Sequence, residues 1–216
     1  MIKIKEFYLN ELRECCYILS DESKECIIVD PGISSQSERD RIVKYIDAET
    51  LKPVKIVCTH GHFDHVMGNA FITEKYNIPT YLNPKDIPLL ERAPHDCLMF
   101  GYQIEQPPLK TLDIKEGNDV TFGNSVLKVI ATPGHTSGSV CIYSPEDKFV
   151  LTGDTLFAGS CGRTDLPESE EDAMPDSLNK IAREMKADYI VYPGHGPNST
   201  IKDELMQNPF LRDKGF

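Results

Sequence analysis

The chain has 216 residues, of which 40% are hydrophobic and 26% are charged, and its net charge is −11. This composition is typical of folded domains, and the length is sufficient for one large domain with an ample core. The negative charge argues against nucleic acid as a partner, because proteins bind phosphates through Lys and Arg side chains.

We expect neither an export signal nor a membrane span. Its first residues alternate charged and apolar groups, and no apolar run approaches the length of a membrane span. The seven cysteines are odd in number and form no Cys-x-x-Cys pair, which is typical of reduced thiols. We therefore expect a cytoplasmic protein with no membrane partner.

The first half of the chain is predicted to alternate strands and helices. Apolar or alternating runs predict strands, and apolar residues three and four positions apart predict helices. Strands are expected over 2–8, 15–20, 26–30, 54–58 and 80–82, and helices over 37–51 and from about 65 to 76. His95 lies in a segment flanked by proline, Ala93-Pro-His-Asp-Cys97, which we interpret as a surface loop.

The second half repeats this arrangement loosely. One helix is expected over 175–185, with Pro175 in its first turn and an apolar face built on Leu178 and Ile181. Strands are expected over 126–131, 139–143, 149–152 and 189–192.

Five of the six histidines fall with two aspartates into four short blocks, each of which follows a predicted strand. Imidazole and carboxylate suit zinc, iron or manganese, and seven such groups exceed what one closed structural site needs. The pattern therefore predicts two metal ions with coordination left open for solvent, which is typical of catalysis. The blocks are Thr59-His-Gly-His-Phe-Asp-His65, Thr132-Pro-Gly-His-Thr136, Leu151-Thr-Gly-Asp-Thr-Leu156 and Pro193-Gly-His-Gly-Pro197.

The blocks resemble the His-x-His-x-Asp-His signature of the metallo-β-lactamase superfamily, with its distant His, Asp and His. This resemblance covers nearly the whole chain. It implies an α/β (α+β) fold, an αββα sandwich of two mixed sheets flanked by helices, as a single domain over 1–216. It also implies two ligand sets with one bridging residue: His60, His62 and His135 for the first metal, Asp64, His65 and His195 for the second, and Asp154 for both.

The expected chemistry follows from two divalent ions, for which zinc is our first choice and iron or manganese would also suit. Such a pair holds a bridging hydroxide as a nucleophile at neutral pH. Asp64 and Asp154 are the carboxylates that we assign to catalysis. Asp30, in Val29-Asp-Pro-Gly32, matches a position that supports a ligand histidine in related enzymes. The alternative role for Asp30 is an Asx-type turn before Pro31-Gly32, in which its side chain bonds to the backbone.

The stretch from Gly153 to Pro167 resembles the glyoxalase II-like branch, which hydrolyses thioesters of the hydroxyacylglutathione type. Arg163 matches a basic position that binds the carboxylate of the thiol carrier, so we expect a small thioester as the substrate. Asp165 replaces a substrate-contacting tyrosine of glyoxalase II. We also expect no helical C-terminal substrate-binding domain, as in the short members of this branch.

Two other functions stay open. Persulfide dioxygenases share the Cys161-Gly-Arg-Thr-Asp165 motif and use one iron, which here would be bound by His60, His135 and Asp154. Those enzymes typically continue with Phe where this chain has Leu166, which favours the hydrolase. A non-catalytic metal-dependent binding protein is the third possibility, although a binding role would not require an open two-metal site.

Overall fold

Two six-stranded mixed sheets face each other in the computed structural model, which describes residues 1–211. Residues 212–216 of the predicted domain lie outside the described residues. In the first sheet β1, β2 and β3 are antiparallel, and β3, β4, β5 and β6 are parallel. Its strands, in spatial order, are β1 (Lys3–Leu9), β2 (Glu14–Ser20), β3 (Glu25–Val29), β4 (Lys52–Val57), β5 (Thr80–Leu82) and β6 (Leu112–Asp113).

The second sheet is antiparallel except for one parallel pair next to its β14 edge strand. Its strands are β7 (Asp119–Phe122), β8 (Ser125–Ala131), β9 (Val140–Ser144), β10 (Phe149–Gly153), β13 (Ile190–Pro193) and β14 (Ser199–Thr200). They lie in the order β14-β13-β10-β9-β8-β7, with β10 and β13 parallel. A short hairpin, β11 (Leu156–Phe157) and β12 (Ser160–Cys161), follows β10.

Helices cover the outer faces of both sheets. Residues of α1, α3 and α4 pack on the first sheet, and residues of α5 and α6 pack on the second. The helices are α1 (Gln36–Ala48), α2 (Phe63–Val66), α3 (Asn69–Tyr76), α4 (Ile87–Met99), α5 (Met174–Glu184) and α6 (Ile201–Gln207).

Strand β2 shows how the sequence builds this layered core. Alternate side chains of a strand point to opposite faces of the sheet. Tyr17 and Leu19 face the second sheet, whereas Cys16 and Ile18 face the helices. Because both faces are buried, β2 reads as a continuous apolar run rather than as an alternating one. The αββα sandwich predicted from the resemblance is confirmed.

The prediction of one continuous helix from about residue 65 to residue 76 was wrong. The chain forms α2 from Phe63 and then breaks at Gly68 before α3 begins. Gly68 N donates a hydrogen bond to Pro31 O over 2.7 Å, and a Cβ at this position would collide with that oxygen. The close approach of this loop therefore divides the helix.

The prediction of a loop around His95 was also wrong, because the segment lies inside α4. Pro94 has no N–H to donate to Leu90 O, four residues earlier, so the helix lacks one internal hydrogen bond. The Gln106 side chain replaces it by donating Nε2 to Leu90 O over 3.0 Å. His95 itself is exposed, as we expected.

All seven cysteines are free thiols, in agreement with the prediction. Six of them are buried, and Cys161 is partly exposed. Within residues 1–211, the helices are too short or too polar to cross a bilayer.

Candidate metal centre

The four ligand blocks meet at one edge of the sandwich. The loop after β4 in the first sheet carries His60 and His62, and α2 follows with Asp64 and His65. The loops after β8, β10 and β13 in the second sheet supply the three other predicted ligands. The structure thus brings all seven predicted ligands together across the seam between the sheets: His60, His62, Asp64, His65, His135, Asp154 and His195.

The first cluster consists of His60, His62 and His135, each of which offers one nitrogen within 4.8 Å of the others. His62 Nδ1 lies 2.8 Å from His135 Nε2. His60 Nε2 is buried and has no hydrogen-bond partner. A buried polar atom without a partner is costly, so this convergence of imidazole nitrogens is the arrangement that a cation would satisfy.

The second cluster consists of Asp64, His65 and His195, whose donor atoms also lie within 4.8 Å of one another. His195 Nε2 is 3.2 Å from Asp64 Oδ2 and 3.3 Å from His65 Nε2. These three side chains form a second triad of nitrogen and oxygen donors, which zinc, iron and manganese accept.

Asp154 lies between the two clusters. Its Oδ1 is 3.4 Å from His65 Nε2, and its Oδ2 is 3.5 Å from His135 Nε2 and 3.7 Å from His195 Nε2. Oδ1 is buried without a hydrogen-bond partner. Gly194 makes room for the carboxylate, because a Cβ there would collide with Asp154 Oδ1. The residues therefore fit two divalent ions that share one carboxylate.

The electrostatics of the metal-free chain match a cation site. Burial lowers the pKa of His60, which keeps its imidazole neutral and able to bind a metal. Burial would likewise lower the pKa of His65, but Asp154 and Asp64 outweigh it and raise that pKa well above its ordinary value. Burial would raise the pKa of Asp154, yet His65 holds it well below the usual range. His65 and Asp154 thus form a charged pair in the absence of metal.

Each of the five histidines has a partner for its second ring nitrogen. Such partners orient the ring and raise its basicity as a ligand. The pairs are His60 Nδ1 with Thr59 Oγ1 at 3.1 Å, His62 Nε2 with Glu168 Oε1 at 2.7 Å, His65 Nδ1 with Asp30 Oδ2 at 3.2 Å, His135 Nδ1 with Arg163 O at 2.8 Å, and His195 Nδ1 with Leu12 O at 3.1 Å.

Asp30 lies where the sequence suggested, behind His65. Its carboxylate also accepts hydrogen bonds from Thr59 N at 2.7 Å and Thr59 Oγ1 at 2.6 Å. Its backbone has a φ of +48°, and Gly32 N donates to Asp30 O over 2.9 Å, so the backbone closes the turn at Pro31. The Asp30 carboxylate bonds to Thr59 and His65 instead, so the alternative of an Asx-type turn was wrong. Because its oxygens are already used, we treat Asp30 as a support for His65 rather than as a ligand.

The side chain of Arg163, which we expected to bind a substrate carboxylate, is paired with Asp165. Its guanidinium makes two hydrogen bonds with the Asp165 carboxylate, of 2.7 Å and 2.8 Å, on the exposed surface. Its backbone carbonyl, rather than its side chain, contacts the ligand His135. Its role with a substrate stays a prediction.

Two carboxylates that face ligand histidines escaped the sequence analysis. Glu168 accepts from His62 and also from Arg92 Nη2 at 2.7 Å. Glu14 is fully buried, has no hydrogen-bond partner and lies 3.9 Å from His65 Nδ1. Burial raises the pKa of Glu14 well above its ordinary value. Neither carboxylate belongs to a recognisable motif, since each reaches its histidine through the fold.

A cleft of 240 Å³ is lined in part by Glu168, the partner of His62. Glu168 and Arg92 form part of its wall, together with the start of α4. None of the three histidines of the first cluster lines it. The other lining residues are Lys85, Asp86, Pro88, Leu89, Ser137 and Pro167.

Comparison with known proteins agrees with this geometry. Residues 12–195 match the sequence family described as the metallo-beta-lactamase superfamily. The chain is 33% identical to a probable metallo-hydrolase, YqgX, of Bacillus subtilis, with 90% of each chain covered. It is 30% identical to the hydroxyacylglutathione hydrolase GloC of Haemophilus influenzae, covering 92% of this chain and 93% of GloC.

Among solved structures, the fold matches TTHA1623, crystallised in a di-iron-bound form, with a TM-score of 0.87 and 36% identity. The match covers 96% of this chain and 100% of that one. The family match spans most of the chain and includes the segments that carry all seven clustered side chains. The chain therefore belongs to the metallo-β-lactamase superfamily.

Proposed function

We propose that the protein is a thioester hydrolase that uses two divalent metal ions. The observation that carries this proposal is the position of Asp154 between two triads of donors. A site for a single ion would not need a second triad or a shared carboxylate. Zinc is our first choice of metal, and iron is supported by the di-iron form of TTHA1623.

When bound, a pair of such ions would lower the pKa of a water molecule to supply a nucleophile and would polarise the substrate carbonyl. The chain's own residues arrange this chemistry. Asp154 and Asp64 provide the negative charge that offsets part of the cationic charge. The buried histidines hold their rings in fixed orientations through Thr59 and Asp30, so little reorganisation is needed when a substrate binds.

The thioester substrate is supported by the 30% identity to GloC. A thiolate is a good leaving group, so the reaction does not require a separate acid to protonate it. We also propose that Arg163 binds a carboxylate of the thiol carrier. Since Asp165 occupies the guanidinium here, a substrate carboxylate would have to replace Asp165.

A single-iron persulfide dioxygenase is the alternative that one observation favours. His135 and Asp154 lie 3.5 Å apart beside the unpartnered His60 Nε2, so a smaller ligand set is also present. The complete second triad of Asp64, His65 and His195 supports the hydrolase instead.

The two functions are separated by oxygen consumption and by the variant His65→Ala. The hydrolase should release free thiol from S-lactoylglutathione without oxygen, and this activity should vanish in His65→Ala. The dioxygenase should consume oxygen with glutathione persulfide and should tolerate the substitution. Oxygen uptake that survives His65→Ala, with no thioester cleavage by the unsubstituted protein, would overturn the proposal.

A further inference from the structure

Asp86 is a buried carboxylate at the start of α4 that the metal-ligand pattern does not include. It ends the short helical turn Pro84–Asp86 after β5, and only 1% of its surface is exposed. A buried carboxylate is costly unless hydrogen bonds stabilise it. Its partners therefore show which parts of the molecule it holds.

All three hydrogen-bond donors to Asp86 belong to the two loops that carry the first cluster. Gly61 N donates to Oδ2 over 2.9 Å, and Gly61 stands between the ligands His60 and His62. Thr136 Oγ1, next to His135, donates to Oδ2 over 2.7 Å. Gly138 N, in the same loop, donates to Oδ1 over 2.8 Å.

The fit around this carboxylate is close. A Cβ on Gly61 would lie 2.8 Å from Asp86 O, and a Cβ on Gly138 would collide with Asp86 Oδ1. Because both positions are glycine, the two loops can approach Asp86 from opposite sheets. The carboxylate connects the β4 loop of the first sheet with the β8 loop of the second.

We propose that Asp86 is a positioning residue that holds His60, His62 and His135 in register for the first metal. This inference rests on the metal assignment made under the proposed function. The hydrogen bonds of Asp86 do not reach the second triad, whose His65 is supported by Asp30 instead. Asp30 reaches the first cluster only through Thr59, the partner of His60, whereas Asp86 contacts both loops of that cluster directly.

The amide of Asn cannot accept the same three hydrogen bonds as the Asp86 carboxylate. The two oxygens of Asp86 accept from three donors, whereas Asn would direct an NH₂ group at one or two N–H or O–H donors. Asp86→Asn should therefore separate the loops with little change in volume. Loss of such an outer contact typically lowers metal affinity by about 10- to 100-fold.

The test measures zinc affinity by chelator competition in two backgrounds. His65→Ala removes one ligand of the second cluster, and His60→Ala removes one ligand of the first, so each background weakens one cluster and measures binding mainly at the other. Asp86→Asn should weaken binding at least about 10-fold in the His65→Ala background and less than about two-fold in the His60→Ala background. Circular dichroism and thermal melting establish that each variant is folded.

Asp21→Asn is the matched control. Asp21 is also buried and accepts from Ser23 N, Asn124 N and Ser125 Oγ at 2.7–2.9 Å, so it too joins two loops. It follows the end of β2 that lies away from His195. This control should leave zinc affinity unchanged in both backgrounds.

Equal losses in the two backgrounds, or no loss in either, would overturn the role of Asp86. If Asp86→Asn does not fold, Thr136→Val decides, because it removes one donor without changing the carboxylate. Several-fold weaker binding at the first cluster alone would support the inference, and unchanged binding would refute it. Failure of the unsubstituted chain to bind two zinc ions would instead refute the metal assignment, and the inference with it.

Discussion

Glu168 Oε1 lies 2.7 Å from His62 Nε2 and also accepts a hydrogen bond from Arg92. The carboxylate therefore fixes the ring of His62 with Nε2 as the donor. The other nitrogen, Nδ1, is left facing His135 with a lone pair for a metal. The loop after the Arg163 motif thus supports a ligand that is distant in the sequence.

This relationship predicts that Glu168→Gln weakens the first metal. The neutral amide is a poorer partner for the imidazole N–H, so zinc affinity of the first cluster should fall by about 10-fold. Chelator competition in the His65→Ala background measures this affinity. The control is Glu170→Gln, because Glu170 is a nearby exposed glutamate. Equal behaviour of the two variants would show that Glu168 does not tune the centre.

Asp154→Asn should lower metal content from two ions to one or none and abolish hydrolysis. The substitution keeps the size of the side chain but removes the negative charge that lies between the triads. Elemental analysis and thioester turnover provide the two readouts. Two tightly bound ions together with near-normal turnover would contradict the bridging assignment.

Arg163 and Asp165 should have opposite effects on substrate binding. Asp165→Asn frees the guanidinium from its surface ion pair, so KM should fall for thioesters whose carrier bears a carboxylate. Arg163→Ala should raise the same KM with little change in kcat. Uncharged thioesters serve as the control, and equal changes with both substrates would assign Arg163 a structural role.

Acidification should release the second metal before the first. Protons compete with metals for imidazole. In the metal-free chain the pKa of His65 is raised, since Asp154 and Asp64 outweigh burial, and that of His195 is raised because its bond to Asp64 outweighs burial. Burial lowers the pKa of His60 and of His135, so protons compete less at the first cluster.

The measurement is metal content after dialysis at steps from about pH 8 to about pH 5, a range that spans the ordinary histidine pKa. The His65→Ala and His60→Ala variants identify which cluster has emptied. Simultaneous loss of both ions, or earlier loss of the first, would contradict the order predicted from these pKa directions.

Gln106→Leu should destabilise the chain by about 1 kcal/mol without changing metal content. The substitution removes the donor that satisfies Leu90 O beside Pro94 in α4. Chemical denaturation measures the change in the free energy of unfolding. Gln103→Leu is the control on the same exposed segment. An equal effect of both variants would exclude loss of the hydrogen bond to Leu90 O as the cause.

The sequence predicts the features that local patterns determine, but not those that depend on long-range contacts. The strands that end before His60, His135, Asp154 and His195 were predictable because apolar runs end at polar loops there. Helix α4 was not, because Pro94 argues against a helix unless a distant side chain compensates. Gln106 provides that compensation, and no local rule connects it with Leu90.

The same division holds for the centre itself. Its ligands belong to short motifs, so their residue types and spacing were visible in the sequence. Asp86 contacts Gly61, between His60 and His62, and Glu168 contacts His62; only the folded chain makes these contacts, which span 25 and 106 residues respectively. Carboxylates in such positions look like ordinary surface residues in the sequence.

The placement of the centre across the seam of the two sheets also bears on the order of maturation. His60, His62, Asp64 and His65 come from the first sheet and its following helix, whereas His135, Asp154 and His195 follow strands of the second. Neither triad is complete until segments from both sheets have docked. During synthesis, the proposed first ion therefore has no full ligand set before residue 154 emerges, and the second has none before residue 195. We therefore expect capture of both ions to follow assembly of the whole sandwich.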